Sequence, residues 1–239
     1  MLKKIAIFGS EGKIGNCITK HLSRKFKIIA LDISKHSKNK YKDVTYCNID
    51  NKFNVLLDIY NKHNFYAVIH CQQFKNKNFL KTDLFNLNFR DYEDTLNSNL
   101  TLTLKSIILY LKSLRKNQIG RVINFASVYS IRSSNPELYK KTEYENPIYY
   151  TISKAGIYGL TKYLASYFKK YKILCNSISP HGVFNKHSKA FQKNFSQRSP
   201  IGRMSLPQEI LPAIDFLLDE NNKYTNGIEL LVDGGWTSC

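Results

Sequence analysis

Cysteine is scarce and unpatterned in this chain. Cys17, Cys47, Cys71, Cys175 and Cys239 are scattered and never fall in CxxC spacing, which argues against a disulfide framework or a zinc site and favours reduced thiols. Glycine and proline are also few, 11 and 6 in 239 residues, and no Pro/Gly/Ser-rich stretch divides the chain, so one large α/β domain is expected over 1–239. No apolar run approaches a membrane span, and the opening MLKKIAIFGS lacks the apolar length of a signal peptide. A cytoplasmic protein without a membrane partner is expected. Acidic residues number 18 against 36 basic ones, for a formal charge of +18. The excess is dispersed and no RNA or DNA motif accompanies it, so it reads as solvated surface rather than a nucleic-acid interface.

What the chain does have is alternation. KKIAIF (3–8) is a short apolar run followed by Gly9, Gly12 and Gly15 and then by a helical pattern through Arg24, the order strand, glycine turn, helix. In such a turn the first glycine makes the bend, the second lets backbone approach a pyrophosphate, and the third packs helix on strand. The next strand, FKIIALD, ends in Asp32, where an acid accepts hydrogen bonds from the adenosine ribose. Asp32 and the neighbouring Glu11 would repel a 2′-phosphate, so NAD is favoured over NADP, with Lys35 and Lys38 as the opposing charges. A third strand at 44–49, a helix at 52–62 and a fourth strand YAVIH (66–70) continue the pattern, which predicts a doubly wound parallel sheet of about seven strands flanked by helices, a Rossmann fold. A long helix is expected over 91–116, and a fifth strand, RVINFAS, ends at Ser127.

The stretch NPIYYTISKAGIYGLT (146–161) places Tyr150 and Lys154 on one face of a helix. An ammonium group near a phenol favours the phenolate, giving an acid/base poised closer to neutrality than tyrosine alone. Tyrosine and lysine are so abundant here that roughly two such pairs arise by chance within that helical reach. The second, Tyr158 with Lys162, reads as helix surface.

Taken together and in order, these motifs resemble the short-chain dehydrogenase/reductase family over essentially the whole chain. The glycine turn, Asn99 in SNL, Ser127 in NFAS, Tyr150 and Lys154 in YTISKAG, NSISPHGV (176–183) and VDGG (232–235) carry the resemblance. It implies a hydride transfer in which Tyr150 is the acid/base and Ser127 orients the reacting oxygen. Lys154 would hold the ribose hydroxyls and lower the tyrosine pKa, and Asn99 would hold a water that links Lys154 to solvent. It also implies a cofactor held by Gly9, Ser10, Gly12, Lys13, Ile14 and Gly15, by Asp32, Asn48 and Ile49, by His70, Cys71 and Gln72, by Tyr150 and Lys154, and by Pro180, His181, Val183 and Asn185. A homotetramer or dimer, built through the fourth and fifth helices and the C-terminal segment, is the implied assembly.

Four departures from the family pattern stand out. His70, Cys71, Gln72 and Gln73 replace the usual Asn-Asn-Ala-Gly, and Asn48 replaces an aspartate. His181 replaces a glycine expected to relieve positive φ, and Asn185 a threonine. The loop 128–149 offers Ser130, Ser133, Ser134, Asn135, Thr142, Glu143 and Asn146, with Arg132, Lys140 and Lys141, and is expected to border a sugar-like substrate. A lid at 184–203 carries Phe191 and Phe195, with Met204 just beyond, and would close over the site or pack on a neighbouring subunit. Finer resemblance points to bacterial surface-glycan and nonulosonic-acid pathways. Three readings stand: an oxidoreductase of a sugar or sugar nucleotide, the same chemistry on a 3-oxoacyl thioester or other small carbonyl, and a cofactor-binding sensor or scaffold without turnover.

Overall fold

The computed structural model describes residues 2–34, 41–49, 53–76, 79–80, 84–116 and 118–239, so Lys35, Lys38 and the expected helix start at Lys52 lie outside the described residues. Seven strands form one parallel sheet: β1 (Lys4–Phe8), β2 (Lys27–Asp32), β3 (Val44–Asn48), β4 (Ala67–His70), β5 (Gly120–Phe125), β6 (Ile173–Pro180) and β7 (Glu229–Val232). Their spatial order is β3-β2-β1-β4-β5-β6-β7. The strand order reverses between β1 and β4, so a crevice opens at the carboxyl ends of these two strands, where open α/β sheets take their ligands.

The crossovers carry α1 (Lys13–Leu22), α2 (Phe53–Lys62), α3 (Phe89–Leu96), α4 (Leu102–Ser113), α5 (Ile148–Ser166), α6 (Phe168–Tyr171), α7 (Lys189–Arg198) and α8 (Leu211–Leu218). Side chains alternate across each strand, so β1 sends Ile5 and Ile7 to a core shared with α1 and α8, and Ala6 and Phe8 to a core shared with α2, α4 and α5. Both faces of the sheet are covered, which is why its strands read as unbroken apolar runs.

The helix expected over 91–116 is divided. Asn88 caps α3 by accepting from the Arg90 N–H, a π-helical turn at Asn97–Thr101 separates α3 from α4, and α4 ends at Ser113. β5 stops at Phe125, two residues short of Ser127, which instead caps a 3₁₀ turn at Val128–Ser130. Ahead of α8, Pro207 opens a single 3₁₀ turn whose Glu209 accepts from the Leu206 N–H at 2.7 Å. The segment 184–203 expected as a lid and the loop 128–149 pack as one unit: Phe191, Phe195 and Met204 are buried with Leu138 of the loop, within this chain. Asn194 adds hydrogen bonds from its amide to the Leu138 and Lys140 carbonyls, at 3.2 and 2.8 Å. No described helix is long and apolar enough to cross a membrane.

Candidate active site

The glycine turn lies at the carboxyl end of β1, and its tightness comes from two close approaches. Gly9 adopts φ +73°, and a Cβ there would lie 2.7 Å from the Gln72 backbone; a Cβ on Gly15 would lie 2.1 Å from the Gly9 carbonyl oxygen. The turn therefore packs directly on the segment after β4 in spite of the bulkier His70, Cys71 and Gln72 there. Asp32 braces it from β2, its carboxylate accepting from the Glu11 N–H at 2.9 Å and the Ser34 N–H at 3.0 Å. Asn48 donates to the Ile33 carbonyl at 2.8 Å and so holds the end of β2 as well.

These residues fit a dinucleotide. Helix α1 begins at Lys13 with no acidic residue in its first turn and no side-chain cap, so its leading N–H groups suit an anion. Beside them the buried Ser10 hydroxyl has no hydrogen-bond partner, the state of a group whose partner is a ligand. Gly15→Ala is accordingly expected to weaken NADH binding at least tenfold, since the turn cannot close over a methyl group at 2.1 Å from its own backbone. Calorimetry on a variant with native circular dichroism checks this, and undiminished affinity would show that the cradle does not hold the cofactor.

The reacting side chains converge at the carboxyl end of β5. Ser127 accepts from the Tyr129 N–H at 3.2 Å, which leaves its own hydroxyl proton to donate, and a side-chain hydrogen bond joins it to Tyr150. Lys154, one turn along α5, is buried and donates to the Phe125 carbonyl at 2.8 Å, with its Nζ 5.7 Å from the centre of the Tyr150 ring. Burial pushes the Lys154 ammonium down to about 8, against the Cys71 thiol, which raises it, and with Lys75, which lowers it further.

The phenol differs from the sequence expectation. Burial holds Tyr150 above the ordinary tyrosine value, and the lowering influence is the Ser127 hydrogen bond rather than the ammonium. Phe79 and Tyr129 flank it edge-on at 6.0 and 6.3 Å between ring centres, and this aromatic wall is the source of the desolvation. Sequence reasoning missed Phe79 and Tyr129, which flank Tyr150, and Lys75, which lies over the Phe79 ring and acts on Lys154, because nothing in their spacing announces that they meet here.

Asn99 sits inside the π-helical turn and is buried. Its side chain accepts from the Phe74 N–H at 3.0 Å and donates to Gln73 at 3.0 Å and to Ser153 at 3.1 Å. It thereby ties the segment after β4 to the residue preceding Lys154. Its carbonyl accepts from the Thr103 hydroxyl at 2.7 Å.

His70 points away from the crevice into a buried polar chain. Its Nδ1 bonds Asn124 Oδ1 at 2.9 Å and its Nε2 bonds Ser106 Oγ at 2.8 Å, with Tyr60 beyond Ser106 at 2.7 Å and Thr161 beyond Asn124 at 3.0 Å. The departure at this position thus joins β4 and β5 to α2, α4 and α5, and its side chain is not a cofactor contact. Burial lowers its pKa to about 4, so the ring is neutral at pH 7.

His181 corrects another expectation. The residue with positive φ after β6 is Gly182, at +58°, and His181 is not in the left-handed region. The register is set by the His181 N–H donating to the Val232 carbonyl at 3.1 Å. Gly182 is fixed for a second reason, since a Cβ there would lie 2.1 Å from the Phe195 ring. The His181 ring packs among Tyr129, Phe195 and Trp236, at 5.5, 5.2 and 4.4 Å, so His181→Gly removes a buried ring and relieves no strain. Asn185 follows, its N–H donating to His187 Nδ1 at 3.1 Å.

Many polar side chains of the loop 128–149 are already bonded within this chain, to the loop itself, to β7, to α5 and to the C-terminal segment. Ser130 donates to Glu229 at 2.5 Å, and Ser179 bonds the same carboxylate. Arg132 reaches the Thr237 carbonyl at 3.3 Å, Asn135 caps the turn at Pro136–Tyr139, Thr142 donates to the Tyr139 carbonyl at 2.7 Å, and Asn146 donates to Thr151 at 3.0 Å. Lys140 pairs with Glu137 at 2.6 Å. Lys141 is exposed at φ +59°, while Ser133 and Glu143 stay exposed and Ser134 half-buried.

A doubly wound sheet with a glycine cradle at its switch point and a Ser-Tyr-Lys group beside it defines a dinucleotide-binding Rossmann domain. A family model described as enoyl-(acyl carrier protein) reductase matches residues 47–237. The 2-dehydro-3-deoxy-D-gluconate 5-dehydrogenase of Escherichia coli is 29% identical over 65% of this chain, and the match spans 60% of that protein's length. The post-translational flagellin modification protein A of Campylobacter coli is 23% identical, covering 98% of both chains. The structure of a short chain dehydrogenase from Leptospira borgpetersenii with bound NAD+ superimposes with a TM-score of 0.87 and 27% identity, over 99% of this chain and 93% of that one. The chain belongs to the short-chain dehydrogenase/reductase family.

Proposed function

We propose that the protein is an NAD-dependent oxidoreductase acting on a secondary alcohol or ketone of a sugar or sugar nucleotide. The observation that carries this reading is the Ser127-Tyr150-Lys154 group at the carboxyl end of β5, next to the glycine cradle. Bound there, the nicotinamide would supply the hydride chemistry. The chain's own residues manage position and one proton. Tyr150 Oη gives a proton to, or takes one from, the substrate oxygen, and Ser127 Oγ hydrogen-bonds and orients that oxygen. Lys154 would hold the ribose hydroxyls of the bound cofactor, and its pKa of about 8 suits proton exchange near neutrality. Asn99 braces this arrangement through Ser153 and, in this reading, holds a water on the route to solvent.

Support for a sugar comes from two directions. The wall around Tyr150 is aromatic, a surface suited to the apolar face of a sugar ring, and relatives named for keto-sugar-acid oxidation and flagellin modification align with the chain. The flagellin relative's end-to-end match favours a place in surface-glycan synthesis. A panel of sugar nucleotides, free sugars, sugar acids and acyl thioesters, followed by NADH absorbance, tests this. Preference for an acyl thioester would replace the sugar reading with a 3-oxoacyl reductase. Cofactor binding without turnover on any class would favour a sensor.

The preference for NAD rests on Asp32 and Glu11. We expect tighter binding of NADH than NADPH, with Asp32→Ala narrowing the gap by about tenfold, the size of one carboxylate–phosphate repulsion near a surface. Affinity for both cofactors falls as well, because Asp32 also holds the turn through the Glu11 and Ser34 N–H groups. A wild-type preference for NADPH in calorimetry would overturn the assignment. Assembly into a homo-oligomer through α4 and α5 is part of the same proposal, supported by the exposed Leu104, Ile108, Ile152 and Tyr163 on these helices.

A further inference from the structure

The amino ends of the strands, opposite the glycine cradle, form a cleft of about 640 Å³. Its lining brings together Lys3, Lys4, Lys62, Arg115, Arg121 and Lys223, and the one carboxylate among its described lining residues is Glu220. Lys3 pairs with that carboxylate. Glu220 also lies within electrostatic reach of Arg121, which leaves six cations around one described carboxylate, so here the dispersed basic charge of the sequence is concentrated. A neighbouring hollow of about 430 Å³ shares Lys62, Asn64 and Arg115 and adds Lys112 and His63.

One buried cation separates this cleft from ordinary basic surface. Arg121 is 5% exposed; its Nη2 faces the carbonyls of Asp219, Glu220 and Asn222 at 3.3, 3.5 and 3.4 Å, its guanidinium lies 4.9 Å from the Tyr66 ring centre, and its Nε has no partner. The guanidinium is met by these carbonyls and shares the Glu220 carboxylate with Lys3, so the positive charge gathered in the cleft is only partly offset, and an anion would offset the rest. The positive field is felt by His63, whose Nδ1 accepts from Lys4 Nζ at 3.3 Å; burial, then Lys4 and Lys62, hold its pKa below the ordinary value.

We propose that this cleft is a second binding site, separate from the cofactor crevice, for a small polyanion of the oligophosphate class. Several cations spaced around a cavity of small-molecule size match a ligand that carries charge at several points, better than a single-charge anion. The phosphate chain of a nucleoside triphosphate and a free oligophosphate present the same chemistry. Strands β4 and β5, which begin at this cleft, lead at their other ends into Cys71 and Ser127, so the two sites share their framework without sharing a lining residue.

Titration of the full chain with tripolyphosphate, ATP and sulfate at fixed ionic strength, by calorimetry, tests the proposal. One tripolyphosphate or ATP is expected to bind per chain, with sulfate at least tenfold weaker. The variant Lys62→Ala/Arg115→Ala, both exposed and outside the core, is expected to lose at least tenfold in affinity, whereas Lys13→Ala at the cofactor turn leaves it unchanged. Tighter binding of ATP than of tripolyphosphate identifies a nucleotide as the ligand, and equal binding identifies the phosphate chain alone. Absent or unsaturable binding, affinity retained in the double variant, affinity lost through Lys13→Ala, or sulfate binding as tightly would each overturn it.

Discussion

Tyr150→Phe is expected to lower turnover by on the order of 10²- to 10⁴-fold, roughly 3–5 kcal/mol of transition-state stabilisation, while NADH affinity stays nearly unchanged. The phenol is the one group in the crevice placed to pass a proton to a substrate oxygen while hydrogen-bonded to Ser127. Phenylalanine keeps the ring and its edge contacts with Phe79 and Tyr129, so the loss reads on the proton and not on packing. Lys154→Ala should damage both turnover and cofactor binding, and it also leaves the Phe125 carbonyl without its donor. Single-turnover kinetics on an accepted substrate decide the matter: full activity of Tyr150→Phe would remove the tyrosine from the acid/base role.

The second large effect is acid destabilisation carried by two buried histidines. His70 and His181 are both held near a pKa of about 4, chiefly by burial, against about 6.5 in the unfolded chain. Between these values the unfolded chain binds more protons than the folded one, so stability falls as pH drops. The contribution is fully present above pH 6.5 and is lost through pH 4, up to about 3 kcal/mol for each residue. Asn124 favours the charged form of His70 and Asp233 that of His181, but neither offsets the desolvation. Chemical denaturation at pH 7, 5.5 and 4.5 should show a slope with pH that is shallower in His70→Gln and in His181→Gln. Identical slopes in wild type and both variants would mean that carboxylates alone govern the acid transition.

How much of this was legible in the sequence depends on the range of the forces involved. The parallel sheet was legible, because a strand covered on both faces is a short apolar run whoever its neighbours are. The glycine cradle and Asp32 were legible for a similar reason, since close backbone approach leaves no room for side chains. The π-helical turn was not, because the three partners that draw Asn99 inward come from Phe74, Gln73 and Ser153, distant in sequence. The turn after β6 was misread by one residue, because a backbone bond to β7 and the Phe195 ring decide which residue takes positive φ. The hydroxyls and amides of the loop were read as facing a substrate, whereas Ser130, Asn135, Thr142 and Asn146 each have a partner within the chain. Composition records that a group is polar, and only the folded chain shows what it bonds.

The shared cluster of Leu138 with Phe191, Phe195 and Met204 bears on attempts to alter what the enzyme accepts. Grafting the loop 128–149 from a relative of different specificity would leave the aromatic face of α7 without its counterpart, and exchanging α7 alone would strand Leu138 and the carbonyls that Asn194 serves. The two segments are far apart in sequence but pack as a single module, so an exchange that keeps this packing has to move both together.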